Sequence, residues 1–485
     1  MKANNCFLFI LGLFLFFINL VIYSRITLEN IVENEDSKSK LPLEGFNRSL
    51  SRDSRLAAVR QLRLAQRYGD PGYKQFQSSS IMRFYGFSGY EMLTITRQGV
   101  SDVSIGEYIY PARYFADSFG KDINAHGETI MDAAGTRFGI FFNPMQGHSK
   151  NMYAILELDF RGTNRFTQYT AKIRHSFGEI SWESGALLFG QYFHPLFLVE
   201  SFPRVINFNL GAPFEPQSLV PQLRVTQEVG PCEFLLGIMG QSFLNTYGPN
   251  AFSNVYLEDA IIPDIAFGFK YRFGLTGESF YGFVIDYLRV VPRLSSLGVI
   301  NGNSAAYKVN EYVDAISTEI FGHNVFHWGE VNFKFILSQN ASSQVLISGF
   351  AVKTLDPITD YRTYVPTNAV AFWLDTFYLF YRTQMQLGLF FGYTHYLGAF
   401  TPLYIDPSTD QPISYSRPIG NTGFSVDYVY RVALRYSYNL GSFRCGLELE
   451  WDLIAYSERL DRYGRGLNPK PVNAFSPIIS IDYVY

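Results

Sequence analysis

The chain has 485 residues, 47% hydrophobic, 17% aromatic and 17% charged, which excludes both a disordered chain and a bundle of apolar membrane-spanning helices. A net charge of −3, from 40 basic and 43 acidic residues with no long Lys/Arg cluster, excludes nucleic acid as a partner. Phe 45 and Tyr 34 stand against Trp 4, and Gly 40 with Pro 22 supply turns, which disfavours an all-helical fold.

Residues 1–24 read as a secretory signal peptide: Lys2 precedes an apolar run from Cys6 to Leu20, and Ser24 offers a small residue for cleavage. An uncleaved anchor is the alternative, because about 17 apolar residues is the lower limit for a spanning helix. Residues 25–80 form a polar periplasmic leader. Within it, Leu56, Val59, Leu62 and Ala65 recur at helical spacing among Arg55, Arg60, Arg63 and Arg67. That short helix reads either as a solvated leader helix or as a tethering one, since two apolar turns do not establish a coiled coil. Beyond Cys6, only Cys232 and Cys445 remain, so there is no disulfide framework. Both fall on expected strands, either joined in one bond or, as small core residues, free.

From residue 81 to 485 the pattern is alternation at period two in runs of about ten residues, the mark of strands with two unlike faces. Ile265, Phe267, Phe269 and Tyr271 oppose Ala266, Gly268, Lys270 and Arg272. Tyr281, Phe283, Ile285 and Tyr287 oppose Gly282, Val284, Asp286 and Leu288, and Val331, Phe333 and Phe335 oppose Glu330, Asn332 and Lys334. A soluble sandwich also alternates. Two features favour a membrane barrel: aromatics at strand ends (Tyr393 and Tyr396, Tyr436 and Tyr438) and connections that alternate between short and long. The fold class expected is all-β, a transmembrane antiparallel barrel of about 16 strands behind a short helical leader.

Counting strands gives 166–177 and 180–189 joined at Gly178-Glu179, a long connection over 290–324, strands over 325–337 and 344–352 joined by a short turn, and a last strand over 474–485. One interval, 162–165, is short where a long loop is expected. The last strand turns Ile479, Ile481, Tyr483 and Tyr485 outward and ends on an aromatic, a feature read by the barrel-assembly machinery.

About sixteen strands enclose a lumen too wide for side chains to fill, so a water-filled channel follows. The connection 190–220, rich in proline and poor in charge, reads either as a surface loop or as one folded inward, with Phe202, Arg204 and Glu215 at a constriction. Alternation sends Arg137, Lys172, Arg174 and Arg224 inward, with Glu157 and Asp159 between them; facing lipid, each charge would cost about 2–4 kcal/mol near midplane. This basic set reads as an anion filter or as the counter-charge of Glu157 and Asp159.

The segments Thr136-Arg137-Phe138-Gly139, Leu156-Glu157-Leu158-Asp159-Phe160, Ala171-Lys172-Ile173-Arg174-His175-Ser176-Phe177 and Leu188-Phe189-Gly190-Gln191-Tyr192, in that order, resemble the successive strands of DcaP-type trimeric porins. Pro221-Gln222-Leu223-Arg224-Val225 and Pro263-Asp264-Ile265 continue the series. The resemblance implies a sixteen-stranded outer-membrane porin, a homotrimer with a folded-in third loop and a basic constriction for small hydrophilic, often anionic, solutes. It also implies a longer coiled-coil leader, where this chain has helical spacing only over 52–67. The expected partners are outer-membrane lipid, solutes, two further copies and the assembly machinery.

The competing classes are an outer-membrane hydrolase and an adhesin or soluble sandwich. No G-x-S-x-G, H-E-x-x-H or P-loop spacing occurs. His323 and His327 lie at a loop-to-strand boundary and read as rim hydrogen bonding rather than a helical metal pair. No catalytic residue, metal or cofactor is expected.

Overall fold

The computed structural model describes residues 82–101, 108–142, 151–162, 169–242, 244–274, 277–300, 303–326, 328–380, 385–416, 425–440 and 442–485. The signal, the leader and its helix lie outside the described residues. No described helix is long and apolar enough to cross a membrane.

Sixteen antiparallel strands close into one barrel. In chain order they are β1 (Met82–Ile95), β2 in two pieces (Glu128–Asp132 and Arg137–Phe142), β3 (Asn151–Asp159), β4 (Lys172–Trp182), β5 (Gly185–Phe193), β6 (Leu219–Val229), β7 (Cys232–Met239) and β8 (Asp264–Phe273). The second half is β9 (Ser279–Val290), β10 (Val313–Phe326), β11 (Gly329–Gln339), β12 (Asn368–Phe380), β13 (Met385–Gly398), β14 (Ser425–Leu440), β15 (Phe443–Ser457) and β16 (Lys470–Val484). Each strand pairs with its successor, and β1 closes on β16 with Phe87 opposite Val484 and Leu93 opposite Ile478. Closure removes the edges that an open sheet of this length would expose.

The outward face is the apolar one. Phe234, Leu236, Ile238, Phe267, Ile285, Ile320, Phe335, Leu389 and Leu434 are all exposed, while the alternate residues between them are mostly buried or half-buried. Aromatic pairs ring both ends of this band. Phe326 stacks on Trp328 at 5.0 Å and Phe443 lies 5.0 Å from Tyr483 on the short-turn side; Tyr393 and Tyr430 meet at 4.6 Å on the long-loop side. An apolar band between two aromatic rings is the exterior of a barrel held in lipid. Tyr396, expected in such a ring, points inward instead and is 2% exposed, because it shares parity with Phe390 and Gly392 on β13.

The strand count agrees with the sequence, but two errors cancel within it. β10 falls inside the expected long connection: Glu311, Asp314 and Glu319 disguise a strand that pairs with β9 along its length. Residues 344–352 are not a wall strand; they run from a 3-10 turn (Ser342–Gln344) into a strand (Phe350–Leu355) of a separate three-stranded loop sheet. The connection after β11 is therefore the long 340–367, not a short turn. The β4–β5 turn is at Glu183-Ser184; Gly178 lies mid-strand opposite Phe189, whose ring covers the space a side chain would need. With β4 beginning at Lys172, the 160–171 connection is long as its place requires. Cys232 and Cys445 are free and sit on the outward parity, where Cys445 is exposed, so neither is a core residue.

The interior is not empty. The connection 194–218 enters the barrel, where Leu196 and Leu198 pack against Ala266, Phe280, Val284 and Phe321, and Phe214 joins Trp373, Phe390, Val429 and Ala433. One close approach fixes the wall opposite this loop. A β-carbon on Gly139 would overlap the ring of Tyr85, whose hydroxyl donates to Glu157 Oε2 at 3.1 Å. Gly139→Ala is therefore expected to destabilise the barrel by about 1–3 kcal/mol. A lowered temperature for loss of the compact electrophoretic form checks it.

Candidate channel constriction

The loop is held by ion pairs and caps that its own sequence supplies. Glu215 is fully buried; its carboxylate accepts from Lys334 Nζ at 2.7 Å and from Trp373 Nε1 at 2.6 Å. Lys334 also lies 3.3 Å from Glu319 and donates to Leu196 O at 2.7 Å. Arg204 pairs with Glu330 at 2.8 Å and lies over the Phe377 ring at 4.2 Å. Farther along, Glu448 accepts from Ile206 N at 2.8 Å, and Asn207 Nδ2 donates to Glu450 at 3.4 Å. Arg431, itself 2.7 Å from Asp452, donates to Ala212 O at 2.9 Å. The side walls β10, β11, β12, β14 and β15 thus grip the loop through charges that the strand alternation turned inward.

Phe208 reaches the opposite wall. Its ring lies 3.3 Å from the Arg161 guanidinium and 5.5 Å from that of Arg137. Arg161 sits 3.4 Å from both Glu91 and Asp132, which fixes the cation against which the ring rests. A second inward segment, ending in Val345, reaches the same region, and Gln344 O accepts from Gln217 N at 2.8 Å.

Between the loop and β2–β4 a cavity of about 70 Å³ remains, lined by Arg137, Asp159, Lys172 and Arg174 on the wall and by Phe208 and Leu210 on the loop. Such a volume holds several waters. Four of the residues expected at a constriction therefore meet at one place. Glu157 lies behind them, 2.5 Å from Arg174, and Lys172 stands 3.6 Å from Asp159. Arg224 points inward as expected and lies over the Tyr192 ring at 5.0 Å, outside the cavity lining. Arg204 and Glu215 are on the far side of the loop, where they fasten it.

The contacts of the basic set differ residue by residue. Arg174 and Lys172 act as counter-charges of Glu157 and Asp159. Arg137 makes no ion pair among the described residues; it lies between Phe87, at 5.2 Å, and Phe208, and its Nε has no hydrogen-bond partner. Alternation missed one device: a bulge opposite Glu157 and Leu158 turns both Arg174 and His175 to the inside. Phe208 and Val345 were also missed, because an infolded loop has no periodicity to read.

Phe208→Ala removes the contact between loop and wall, worth about 0.5–2 kcal/mol as a cation–π pair. The expected result is faster liposome swelling with larger neutral solutes at unchanged folding.

No protein-family model matches the chain, and a search of curated proteins finds no match. Among solved structures, the outer membrane channel DcaP of Acinetobacter baumannii is similar, with a TM-score of 0.57 and 13% identity over 83% of this chain and 97% of that one. OmpT of Vibrio cholerae in its trimer form gives 0.47 and 11% over 83% and 99%, and an anion-selective porin from Comamonas acidovorans gives 0.46 and 9% over 83% and 99%. At these identities the likeness is one of fold: this chain is an antiparallel barrel built like that of the DcaP channel.

Proposed function

We propose that the protein is a bacterial outer-membrane porin: a passive channel for small hydrophilic solutes, with a preference for anions and no chemical step. The observation that carries this reading is a lipid-type exterior around a lumen entered by an anchored loop and a second inward segment, leaving a gap in which Arg137, Lys172 and Arg174 face apolar side chains such as Phe208 and Leu210. Arg137 is the residue assigned to meet the solute, with Asp159, Lys172 and Arg174 setting the field around it. Arg204 and Glu215 are assigned to positioning the loop, and Arg224 with Glu157 to the wall behind.

A homotrimer is proposed with it. The outward faces of β1–β4 intersperse Ser88, Thr94, Thr129, Ala154 and Ser176 with Phe84, Tyr90, Met131, Phe138 and Leu156, whereas β7–β9 present Phe, Leu, Ile and Tyr almost throughout. Small and polar residues suit contact with another copy better than contact with acyl chains.

Reconstitution of the detergent-extracted protein into planar bilayers tests the reading. Discrete, stable unit currents are expected; folded oligomer that gives none refutes the channel.

A further inference from the structure

Where the infolded loop leaves the wall, three ligand-type side chains from different segments converge. His194 is the first residue after β5, and its N–H donates to Ser218 O at 3.0 Å, closing the base of the loop. Asp264 opens β8. Asp286 lies on β9 opposite Ala266, which puts the two aspartates diagonally across one pair of strands on the inward face. His194 Nε2 is 3.4 Å from Asp264 Oδ2 and 3.6 Å from Asp286 Oδ1, and one ligand atom from each residue fits within 4.8 Å of the others. All three side chains are at least nine-tenths buried.

One polar atom of each is left over. His194 Nε2, Asp264 Oδ1 and Asp286 Oδ1 have no hydrogen-bond partner among the described residues. No Lys or Arg nitrogen among those residues makes an ion pair with either aspartate, whose basic partner within 4 Å is His194 alone. Burying two carboxylates side by side without a cation is expensive.

We propose that His194, Asp264 and Asp286 bind one divalent cation, zinc by ligand set and spacing, that fastens the base of the loop to β8 and β9. A dication with two carboxylates and a neutral imidazole is electrically neutral, as a dry wall requires. Zinc bonds of about 2.0–2.1 Å put the ligands of a tetrahedral site about 3.3–3.4 Å apart, close to the two distances from His194. Octahedral magnesium at about 2.0–2.1 Å sets adjacent ligands about 2.9 Å apart and takes oxygen ligands in preference to imidazole. One adjustment accompanies binding. Leu196 N–H donates to His194 Nδ1 at 3.2 Å, so the neutral ring carries its proton on Nε2; zinc at Nε2 moves that proton to Nδ1 and breaks this contact. The inference rests on the fold and is independent of whether the barrel conducts.

The test uses the full chain purified in detergent, stripped with a chelator, then titrated with zinc chloride in the presence of excess magnesium. One zinc per chain is expected. His194→Ala and Asp286→Asn should each weaken zinc binding at least about 100-fold, beyond the loss of an outer-shell partner, while the compact electrophoretic form shows the barrel folded. Less than stoichiometric zinc on the folded wild-type protein overturns the site, as do folded variants that bind zinc like the wild type. If a variant does not fold, the wild-type stoichiometry decides alone.

Discussion

Lys334→Met is expected to release the loop from the barrel wall. Lys334 is fully buried and is the cation for Glu215 at 2.7 Å and Glu319 at 3.3 Å, besides donating to Leu196 O. Methionine fills a similar volume but leaves two buried carboxylates without their counter-charge. Removing one partner of such a pair costs about 3–5 kcal/mol, because the charge left behind stays desolvated. The apolar contacts of Leu196, Leu198 and Phe214 remain, so the barrel itself should still close. The loss should appear in the loop, as faster proteolysis within 194–218 and noisier, larger unit currents. Lys334→Met combined with Glu215→Gln and Glu319→Gln should recover most of the protection, since no charge is then stranded. Protection equal to wild type in the single variant would show that Lys334 does not anchor the loop.

Arg137→Ala should shift ion selectivity toward cations. Arg174 and Lys172 are partly cancelled by Glu157 and Asp159, so Arg137 contributes the unpaired charge of the cavity. A unit charge about 4 Å from a passing ion is worth about 1 kcal/mol in water and about 4 kcal/mol at an effective dielectric near 20. Taking the wetter value, the anion loses and the cation gains about 1 kcal/mol each, so the anion-to-cation permeability ratio should fall about 30-fold, read from the reversal potential in a salt gradient. Arg204→Ala should change selectivity less, because Arg204 is paired with Glu330 behind the loop. A larger shift from Arg204 than from Arg137 would put the filter on the wrong side of the loop.

Strand faces were legible in the sequence wherever one side was apolar and the other small or charged. Ile265 to Arg272 and Val331 to Phe335 face as their alternation dictates. β10 was illegible for the converse reason: its inward Ser317 and Glu319 and outward Asp314 and Thr318 look like a polar loop until β9 and β11 are placed beside them. The wall of the constriction was legible because charges cannot face lipid, and this put Arg137, Asp159, Lys172 and Arg174 inside. What faces them was not. The approach of Phe208 and Val345 depends on how loops fold within the lumen, and the gathering of His194 with Asp264 and Asp286 depends on strand neighbours far apart in sequence.

Thiol modification of single cysteines decides whether solute passes between the loop and β2–β4. With the native cysteines replaced by serine, Lys172→Cys places a thiol on the cavity wall, and Ala433→Cys places one on β14 behind the loop, where Ala433 is fully buried. A bulky water-soluble thiol reagent added during recording should cut the unit current of the Lys172→Cys channel and leave that of the Ala433→Cys channel unchanged. Block at position 433 with none at 172 would contradict the proposed path.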